Sequence, residues 1–585
     1  MVTITIDSHT LEVDESFTIL EAAKQLHINI PTLCYLKDFN TMGACRMCVV
    51  ELEGLDRLVS ACNTPVQDGM VIHTQSARID AHRRLNLEIM DSRHDRDCAS
   101  CHRNGTCKFL DLLLYYNIDK DLLPKKLMSA KRAAWPTQSI VQKDHNKCVN
   151  CGRCVQVCKK IQGTNVWNFI GSGSLASVDV KECKTMPEAG CVSCGQCITH
   201  CVDGALKERD DTKLLKEALA DPQTTVIVQI APAVRTAWAS TKGFGDGQLS
   251  CERIAAALKA LGADLVFDTI FGADMTIMEE ASELVYRLSS GKTYEFPLFT
   301  SCCPAWMTHA RNKHDDLLDT ISSAKSPMLM FGAAIKDWYA KKHKLNPEHI
   351  YSVAIMPCTA KKQEIELPGS SSHPGTNDLN LSLTTRELVR MLDEEGINLY
   401  ELEDAPLDNP LGQGSGAGTI FGVTGGVMEA ALRSAYYFVT HTNPPTDMFV
   451  FKESEYPWHE AEFKIQDIML RCAFVSGLVN TDKLIDLVKK GVCSYDFVEV
   501  MACPGGCSGG GGQPIDGTDR ELGLSRGSVL RTIDKEHSKI RYCHENPQIQ
   551  TLFSEWLGDR GSKKAHQFLH VNHRAIKAEY DISWD

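Results

Sequence analysis

Residues 300–306 read Thr-Ser-Cys-Cys-Pro-Ala-Trp, and two further cysteine motifs share their arrangement, in which a short apolar run leads into cysteine. Met-Pro-Cys-Thr-Ala-Lys-Lys stands at residues 356–362 and Ala-Cys-Pro-Gly-Gly-Cys at residues 502–507. The apolar runs are predicted to be inner strands of an α/β sheet: Pro297–Thr300, Val353–Met356 and Phe497–Met501. Because such folds place their chemistry in loops at the carboxyl ends of strands, the three motifs are predicted to form one buried metal centre.

The length and charge of the chain limit its class. At 585 residues it should hold about four domains and can bury a large core. The net charge of −13 argues against nucleic acid as the main partner, since phosphate binding needs a basic surface. Residues 1–7 lack the features of an export signal, and no run of about 18 apolar residues occurs. We therefore expect a cytoplasmic protein without a membrane or nucleic-acid partner.

The 25 cysteines are better explained as metal ligands than as disulfides. Their number is odd, and many pairs lie only two residues apart, which suits ligands rather than loop-closing bridges. A chain without an export signal also keeps its thiols reduced.

Residues 1–78 are predicted to form a plant-type 2Fe-2S domain. Two strands, Val2–Ile6 and Thr10–Val13, precede an amphipathic helix at Phe17–Leu26. Four cysteines then follow with the spacing C-x10-C-x2-C-x13-C: Cys34, Cys45, Cys48 and Cys62. This spacing is close to that of plant-type ferredoxins, although a zinc ribbon is an alternative.

Residues 79–125 carry a second complete ligand set. One imidazole and three thiolates occur with the spacing H-x3-C-x2-C-x5-C: His94, Cys98, Cys101 and Cys107. Taken alone this set could bind zinc, and His102 is a rival to His94 as the histidine ligand. The basic residues around it are either a docking patch for an acidic electron carrier or a solvated loop.

Residues 126–209 contain an internal repeat of C-x2-C-x2-C-x3-C, the spacing of bacterial two-cluster ferredoxins, in which the fourth cysteine of each run binds the other 4Fe-4S cluster. One cluster is therefore assigned to Cys148, Cys151, Cys154 and Cys201. The other is assigned to Cys191, Cys194, Cys197 and Cys158. Cys183 lies between the repeats and is either a bystander or a substitute ligand.

Residues 210–585 change to strands that alternate with helices, which predicts parallel βαβ units. Thr225–Ile230 and Asp264–Asp268 are predicted strands, and Met275–Leu288 is a predicted helix. The fold class is therefore an α/β catalytic domain, with parallel-sheet lobes around a buried cluster, preceded by α+β ferredoxin-like iron–sulfur domains.

Glycine-rich stretches in this region do not indicate nucleotide binding. Residues 509–512 are glycines, but no Gly-Lys-Ser/Thr follows them, so a P-loop is unsupported. Close approach of the backbone to the metal cluster explains these glycines better. Residues 412–417 and 171–176 match a dinucleotide motif only weakly, and no NAD or flavin site is predicted.

The three cysteine motifs, in this order and with the accessory sites before them, resemble those of the iron-iron hydrogenases of the monomeric, multi-cluster clostridial type. The histidine-containing segment also resembles one in the large iron-sulfur subunit of respiratory complex I, which carries a 4Fe-4S cluster. The resemblance implies reversible formation of dihydrogen from protons and electrons at an H-cluster, a 4Fe-4S cube bridged to a di-iron unit with carbon monoxide, cyanide and a bridging dithiolate. The implied cube ligands are Cys303, Cys358, Cys503 and Cys507, with Cys507 shared with the di-iron unit.

The resemblance also implies a proton relay of Cys302, Glu280, Ser322 and Glu283, with Arg287 beside it. Cys302 would be free for this role, because a second adjacent ligand to the same cube would be strained and an ordinary thiol pKa lies near enough to neutral for both protonation states. The alternatives are a buried inert cysteine and a pair of glutamates on a solvated helix face.

Further pocket residues follow from the same resemblance. Lys361 matches a lysine that hydrogen-bonds a cyanide ligand of the di-iron unit. An ammonium group can do this because it is a compact positive charge with three hydrogen-bond donors. The resemblance implies that five residues form an apolar lining of the pocket, although without it they would be interpreted as ordinary hydrophobic core: Ala231, Pro232, Met356, Phe421 and Met501. Ala233 and Met328 differ from the residues found at these positions in some relatives. They are expected to affect the catalytic rate, the catalytic bias or the oxygen tolerance.

The implied cofactors are one 2Fe-2S cluster, three accessory 4Fe-4S clusters and the H-cluster. Ferredoxin or a similar electron carrier and the maturation proteins are the implied partners, with H2 and protons as substrates. Two alternatives remain open. One is the catalytic subunit of an NAD-linked bifurcating complex, which the lack of a further carboxyl-terminal 2Fe-2S module disfavours. The other is a hydrogen or redox sensor, or an iron–sulfur assembly protein, on the same fold, which the thiol at Cys302 disfavours.

Overall fold

The computed structural model describes residues 1–119, 135–173, 176–290, 297–372, 377–515 and 522–582, apart from the side chains of Cys183 and residues 578–582. The chain forms two compact units. The first unit comprises Met1–Cys191 and Gln196–Lys207, and the second comprises Val192–Gly195 and Glu208–Asp585. The domain boundary expected between residues 125 and 126 lies outside the described residues.

The first unit consists of short strands and helices. Its strands are β1 (Val2–Ile6), β2 (His9–Val13), β3 (Val49–Leu52), β4 (Val59–Ser60), β5 (Val71–His73), β6 (Val141–Lys143), β7 (Trp167–Ile170), β8 (Ser177–Val180) and β9 (Leu206–Glu208). Its helices are α1 (Ile19–Gln25), α2 (Ala77–Asp91), α3 (Lys108–Tyr115), α4 (Arg153–Lys160) and α5 (Gln196–Thr199). The first five strands form one sheet in the order β2-β1-β5-β3-β4, and β1 alternates so that Ile4 and Ile6 enter its core. The strands and helix predicted near the amino end are confirmed.

The second unit is larger. Its strands are β10 (Thr225–Ile230), β11 (Leu265–Asp268), β12 (Leu298–Phe299), β13 (Ile350–Met356), β14 (Leu381–Thr384), β15 (Lys452–Glu453), β16 (Trp458–Ile465), β17 (Ile468–Ser476) and β18 (Phe497–Met501). Its helices are α6 (Thr212–Ala220), α7 (Cys251–Ala260), α8 (Ile270–Ser289), α9 (Pro304–Lys313), α10 (Pro327–Ala333), α11 (Ala340–His343), α12 (Ala360–Glu364), α13 (Thr385–Glu394), α14 (Gly416–Thr419), α15 (Gly426–Thr440), α16 (Leu478–Lys489), α17 (Leu522–Thr532), α18 (Pro547–Leu552), α19 (Lys563–Leu569) and α20 (His573–Ile582). None of the helices in the described parts of the chain combines the length and apolarity that a membrane span requires.

One sheet of the second unit is entirely parallel, in the order β11-β10-β13-β14. Alternate residues of β10 point into different cores. Val226 and Val228 pack with α6, α7 and α13, whereas Ile227 packs with α8 and α10. Helices therefore cover both faces, as the α/β fold class requires.

The other sheet has the order β12-β18-β17-β16-β15, with its first three strands parallel and the rest antiparallel. The expectation that residues 297–300 form an inner strand is wrong, because β12 lies at the edge of the described sheet. On its outer side Phe299 forms only an isolated bridge with Ile321, and its carbonyl accepts a bond of 2.8 Å from the Ser322 amide. This short contact sets Ser322 beside the strand that leads to Cys302.

Helix α8 lies between the two sheets. Its residues Met275 and Ile277 join the core of the parallel sheet, whereas Ala281 and Leu284 pack against the mixed sheet. The helix begins at Ile270, five residues before the predicted start at Met275. Its first turn is buried all round, so the sequence there shows no helical periodicity.

Candidate active site

A cavity lies in the second unit, where loops at the carboxyl ends of β10, β12, β13 and β18 meet. All five cysteines of the three motifs line it: Cys302, Cys303, Cys358, Cys503 and Cys507. The five expected lining residues also line it: Ala231, Pro232, Met356, Phe421 and Met501. Lys361, Ala233 and Met328 lie on the same wall. The structure thus brings together motifs that are about 50 to 200 residues apart in the chain.

Hydrogen bonds fix the loop that carries Cys302 and Cys303. The Trp306 indole N–H donates to the Thr300 carbonyl at 3.1 Å, and the Thr300 hydroxyl accepts from the Val500 amide at 3.2 Å. The Ser301 hydroxyl donates to the Ala324 carbonyl at 2.6 Å. These bonds tie the loop to β18 and to the segment after Ser322, so the two thiols have a defined position.

The glycines after Cys507 have a different explanation from the one expected. A Cβ at Gly510 would lie 2.1 Å from the Pro357 carbonyl, and one at Gly512 would lie 2.8 Å from the Cys358 amide. A Cβ at Gly511 would lie 2.1 Å from the Cys194 carbonyl. Close packing of three protein loops therefore requires these glycines, whether or not a cluster also approaches them.

The electrostatics of the thiols fit a cationic iron centre. Burial and the charge of Cys303 raise the pKa of Cys358 to about 11. Burial and the charges of Cys358 and Cys303 raise the pKa of Cys507 as well. The charge of Lys361 on the cavity wall opposes these rises only in part, so crowded thiolates here need further positive charge, and soft sulfur donors suit iron. The donor set therefore fits the cube that the resemblance implies.

Among the four expected relay residues, a hydrogen bond joins Ser322 to Glu283. Burial and the charge of Glu280 raise the pKa of the Cys302 thiol, and Ser322 acts to lower the pKa of Glu280. Neither carboxyl oxygen of Glu280 has a hydrogen-bond partner among the described residues. The Ser322 hydroxyl donates to Glu283 Oε2 at 2.9 Å, and Arg287 donates to Glu283 Oε1 at 2.6 Å. Glu280 and Ser322 are fully buried, whereas the Glu283 side chain is 13% exposed, so the series runs from the cavity toward the surface.

The expected thiol chemistry needs one correction. The sequence suggested that Cys302 could adopt either protonation state near neutral pH, but burial raises its pKa well above the ordinary value. Its resting form in this pocket is the neutral thiol. Burial and the charge of Glu283 also raise the pKa of Glu280 to about 8, so this carboxyl keeps its proton at neutral pH. Both groups therefore carry a proton at neutral pH that they can donate.

Lys361 lies on the cavity wall with two protein partners. Its ammonium donates to Glu364 Oε2 at 2.6 Å and to the Cys302 carbonyl at 3.3 Å. The charge of Glu364 contributes to the raised pKa of Lys361, against the effect of burial. The cation thus persists in a buried site and is fixed beside the thiol loop.

In the first unit, the four cysteines of the plant-type motif are all buried, and the Cys34 amide donates to Cys45 sulfur at 3.4 Å. The members of the second set line a single cavity: His94, Cys98, Cys101 and Cys107. The His94 Nδ1 lies 2.8 Å from the Lys147 carbonyl, which can only accept a hydrogen bond, so Nδ1–H is the donor. Its Nε2 therefore keeps the lone pair that a metal needs. His102 is absent from the lining.

The repeat cysteines have the neighbours that the crossed pairing predicts. Burial and the charges of Cys151 and Cys148 raise the pKa of Cys154. Burial and the charges of Asp203 and Cys151 raise the pKa of Cys201. The fourth cysteine of the second run thus adjoins the first run.

The other set shows the same crossing. Burial and the charges of Cys191 and Cys158 raise the pKa of Cys197. Cys194 belongs to the segment Val192–Gly195 of the second unit, where it lines the large cavity. The side chain of Cys183 lies outside the described part of the chain, so its alternative role is untested.

The cavity-wall residues that sequence reasoning missed include Cys194, Thr269 and Pro327. Thr269 and Pro327 stand directly before α8 and at the start of α10, and no motif marks them. The repeat spacing identified Cys194 as a ligand, but only the folded segment shows that it adjoins the cavity. The Thr359 hydroxyl, which donates to the Ser193 carbonyl at 2.6 Å, fixes this segment beside the Cys358 loop.

Family models match most of the chain. The model "iron only hydrogenase large subunit, C-terminal domain" matches residues 224–511, which include the five cavity cysteines, and "iron hydrogenase small subunit" matches residues 521–575. Near the amino end, "2Fe-2S iron-sulfur cluster binding domain" matches residues 1–77, and "NADH-ubiquinone oxidoreductase-G iron-sulfur binding region" matches residues 83–121.

Full-length relatives decide the family. The NADP-reducing hydrogenase subunit HndD of Solidesulfovibrio fructosivorans is 40% identical over 98% of this chain and 99% of its own length. Iron hydrogenase 1 of Clostridium pasteurianum is 37% identical over 98% of this chain and all of its own length. The chain belongs to the iron-only hydrogenase family. It is an oxidoreductase that interconverts dihydrogen with protons and electrons, and the recognition and fold class predicted from the sequence are confirmed.

Solved structures of [FeFe]-hydrogenases share the fold of the second unit. A structure that addresses oxygen inactivation of the H cluster is 39% identical, has a TM-score of 0.56, and covers 62% of this chain and 98% of its own. A variant of [FeFe]-hydrogenase HydA1 from Chlamydomonas reinhardtii is 38% identical, with a TM-score of 0.55 and coverage of 62% and 98%. These matches and the family models support iron–sulfur clusters and an H-cluster in this hydrogenase. Cytosolic iron-sulfur assembly component 3 of Mus musculus is also similar, at 31% identity over 66% of this chain.

Proposed function

We propose that the four thiols of Cys303, Cys358, Cys503 and Cys507 hold the 4Fe-4S cube of the H-cluster, with Cys507 shared with the di-iron unit. The observation that carries the proposal is their convergence on one cavity together with Cys302. When bound, the H-cluster would supply the iron at which hydrogen is made or split and would exchange electrons with the accessory clusters. The protein supplies a water-excluding wall, because Ala231, Pro232, Met356, Phe421 and Met501 are all buried and apolar.

Protons travel through the chain's own side chains. The Cys302 thiol donates toward the cavity and is reprotonated from Glu280, which keeps a proton because its pKa is raised to about 8. The Ser322 hydroxyl donates to Glu283, which exchanges with solvent near the surface. Neither carboxyl oxygen of Glu280 has a hydrogen-bond partner among the described residues, so the transfers to and from Glu280 pass through a bridging water.

Lys361 positions an anionic ligand of the di-iron unit at the cavity wall. Its ammonium is fixed by Glu364 and by the Cys302 carbonyl, so it presents a localised positive charge. Replacing it with an uncharged side chain of similar length, in Lys361→Met, should weaken retention of the di-iron unit.

Electrons reach the cavity through one 2Fe-2S and three accessory 4Fe-4S clusters. The 2Fe-2S ligands are Cys34, Cys45, Cys48 and Cys62; the 4Fe-4S ligands are His94 with Cys98, Cys101 and Cys107, and the two crossed sets of the repeat. Cys194 supports this route, because it is an accessory ligand that also lines the catalytic cavity. The external donor or acceptor is ferredoxin or a similar carrier, and maturation proteins insert the di-iron unit. We place the protein in the cytoplasm, which suits its reduced thiols, since none of the cysteines with described side chains forms a disulfide.

The first test is turnover of the matured protein. Protein expressed with the maturation machinery should show infrared bands of iron-bound carbon monoxide and cyanide and should evolve hydrogen from a reduced dye. Protein expressed without that machinery should contain iron–sulfur clusters but no activity. Matured protein that has the bands and neither makes nor consumes hydrogen would favour a sensor instead.

A second candidate is the catalytic subunit of a nicotinamide-linked complex. The full-length similarity to an NADP-reducing hydrogenase subunit favours it. In that case the protein purified from its own cells should carry stoichiometric partners, and the complex should reduce NADP⁺ or NAD⁺ with hydrogen. Turnover with ferredoxin by the isolated chain, without associated subunits, would select the first candidate.

A further inference from the structure

A polar cluster continues past the relay on the far side of Glu283. Glu283 Oε2 accepts from the Ser323 amide at 3.1 Å and lies 3.4 Å from the Ser323 hydroxyl. That hydroxyl lies 2.8 Å from His570 Nδ1, and His570 Nε2 lies 2.9 Å from Glu279 Oε2. Five polar groups therefore follow one another from Ser322 to Glu279 without a gap.

Backbone pairing holds this cluster in place. The Val571 amide donates to the Ser323 carbonyl at 2.8 Å, and the Lys325 amide donates to the Leu569 carbonyl at 2.7 Å. These bonds align the segment after Ser322 with the segment after α19. The contact between Ser323 and His570 is thus set by main-chain geometry.

A second imidazole packs against the outer end of the cluster. The His570 side chain is only 6% exposed, but the ring of His566, which is exposed, lies 4.3 Å from it between centroids. Glu279 is 1% exposed, and its other oxygen, Oε1, has no hydrogen-bond partner among the described residues. The exposed His566 ring therefore packs against His570, between the buried carboxylates and solvent.

The charges around His570 come from several elements. Helix α8 contributes Glu279, Glu283 and Arg287, and α19 contributes His566. Arg560 adds a positive charge close to Glu279. The nearby His573 stays neutral at neutral pH, because burial lowers its pKa to about 4. Arg287 cannot itself pass a proton on, since a guanidinium does not deprotonate in proteins, whereas imidazoles exchange protons near neutral pH.

We propose that Ser323 and His570 form a second outlet of the proton relay, which leaves Glu283 and reaches solvent at His566. This inference rests on the proposed hydrogenase function. For an outward proton, Glu283 gives its proton to the Ser323 hydroxyl while that hydroxyl gives its own to His570 Nδ1. The proton on Nε2 then passes to Glu279 or toward His566, and no electron changes place. The reverse series supplies protons for hydrogen evolution.

The test uses matured holoenzyme, with rates normalised to the infrared bands of the bound cluster. Ser323→Ala keeps the backbone bond to Glu283 but removes the hydroxyl, and His570→Gln keeps a polar side chain but removes the imidazole. Since a general acid–base group contributes a large rate factor and this outlet is one of two, each change should lower hydrogen evolution about threefold to tenfold. Each should also alter the pH profile near neutrality. His544→Gln, which removes a buried imidazole outside the cluster, should change neither.

Chemical rescue separates proton transfer from a structural role. Added imidazole should restore part of the rate of His570→Ala and leave His544→Gln unaffected. Unchanged rates and pH profiles in Ser323→Ala and His570→Gln would overturn the outlet, even if His570→Ala failed to mature. A His570→Ala protein that matures but does not respond to imidazole would count against it too. Failure of the unsubstituted matured protein to turn over would instead reject the proposed function.

Discussion

Cys302 and Cys303 are adjacent in the chain, yet their surroundings suit opposite chemistry. Cys303 precedes α9, where burial raises its pKa but the amides of Ala305 and Trp306 act against that rise. Those amides stabilise a thiolate. Cys302 faces the charge of Glu280, which adds to the effect of burial and favours the neutral thiol. One residue is thus suited to bind iron and its neighbour to carry a proton.

Replacement of Cys302 tests this division of roles. In Cys302→Ala, hydrogen evolution should fall by at least about 100-fold, because the donor at the cavity is lost. The infrared bands should remain, because the cluster ligands are untouched. Cys302→Asp should retain some activity. Cys472→Ala, which removes a buried thiol that does not line the cavity, is the control. An unaltered rate in Cys302→Ala would rule out the relay.

Buried ion pairs connect the elements that support the Cys358 loop. Lys362 lies in α12, and its ammonium donates to Asp211 at 2.7 Å and to Glu387 of α13 at 2.9 Å. Lys362 is 1% exposed, so these carboxylates have little access to water. The interaction joins the segment before α6, the helix after Cys358 and α13.

Lys362→Ala should destabilise the second unit strongly. Removing Lys362 leaves the buried Glu387 without its ion-pair partner, which costs about 3–5 kcal/mol, whereas Asp211 keeps its ion pair with Arg209. The matched control is Lys216→Ala, which breaks exposed ion pairs with Glu394 and Glu395 and should cost about 0–1 kcal/mol. Urea unfolding followed by tryptophan fluorescence compares the two. Equal midpoints would show that the buried pairs contribute no net stability.

Strand β18 and helix α15 are joined by a buried carboxyl. Glu499 accepts from the amides of Gly425 and Met428 at 2.6 and 2.7 Å. Burial raises its pKa from 4.5 to about 7, despite these bonds. The folded protein therefore binds a proton here over a pH range in which the unfolded chain releases it.

This carboxyl predicts a pH dependence of stability. Because the folded-state pKa is the higher one, the free energy of unfolding should fall as pH rises from about 4.5 to about 7, by up to about 3 kcal/mol from Glu499. In Glu499→Gln the urea midpoint should change less over that range. Glu394→Gln, an exposed site, should behave like the unsubstituted protein. The same pH slope in Glu499→Gln as in the unsubstituted protein would contradict the prediction.

Across the whole molecule, local motifs were predictable and long-range packing was not. The spacing of the cysteines predicted the accessory ligand sets and located the three cavity motifs, because the cysteines within each motif lie only a few residues apart in the sequence. Glu280 and Glu283 looked like a solvated helix face, and only the position of α8 between two sheets explains their burial. The edge position of β12 and the packing of Gly510 against Pro357 depend on contacts between residues that are far apart in the sequence. Local sequence patterns therefore do not predict them.

The central claim is that three distant loops hold one iron centre and leave one thiol unbound. Crystals of matured protein, measured at the iron absorption edge, test it most directly. Anomalous density should lie at bonding distance from the sulfurs of Cys303, Cys358, Cys503 and Cys507, with a further di-iron peak beside Cys507, and Cys302 should bind no iron. Iron bound to Cys302, or no iron between the three loops, would contradict the account.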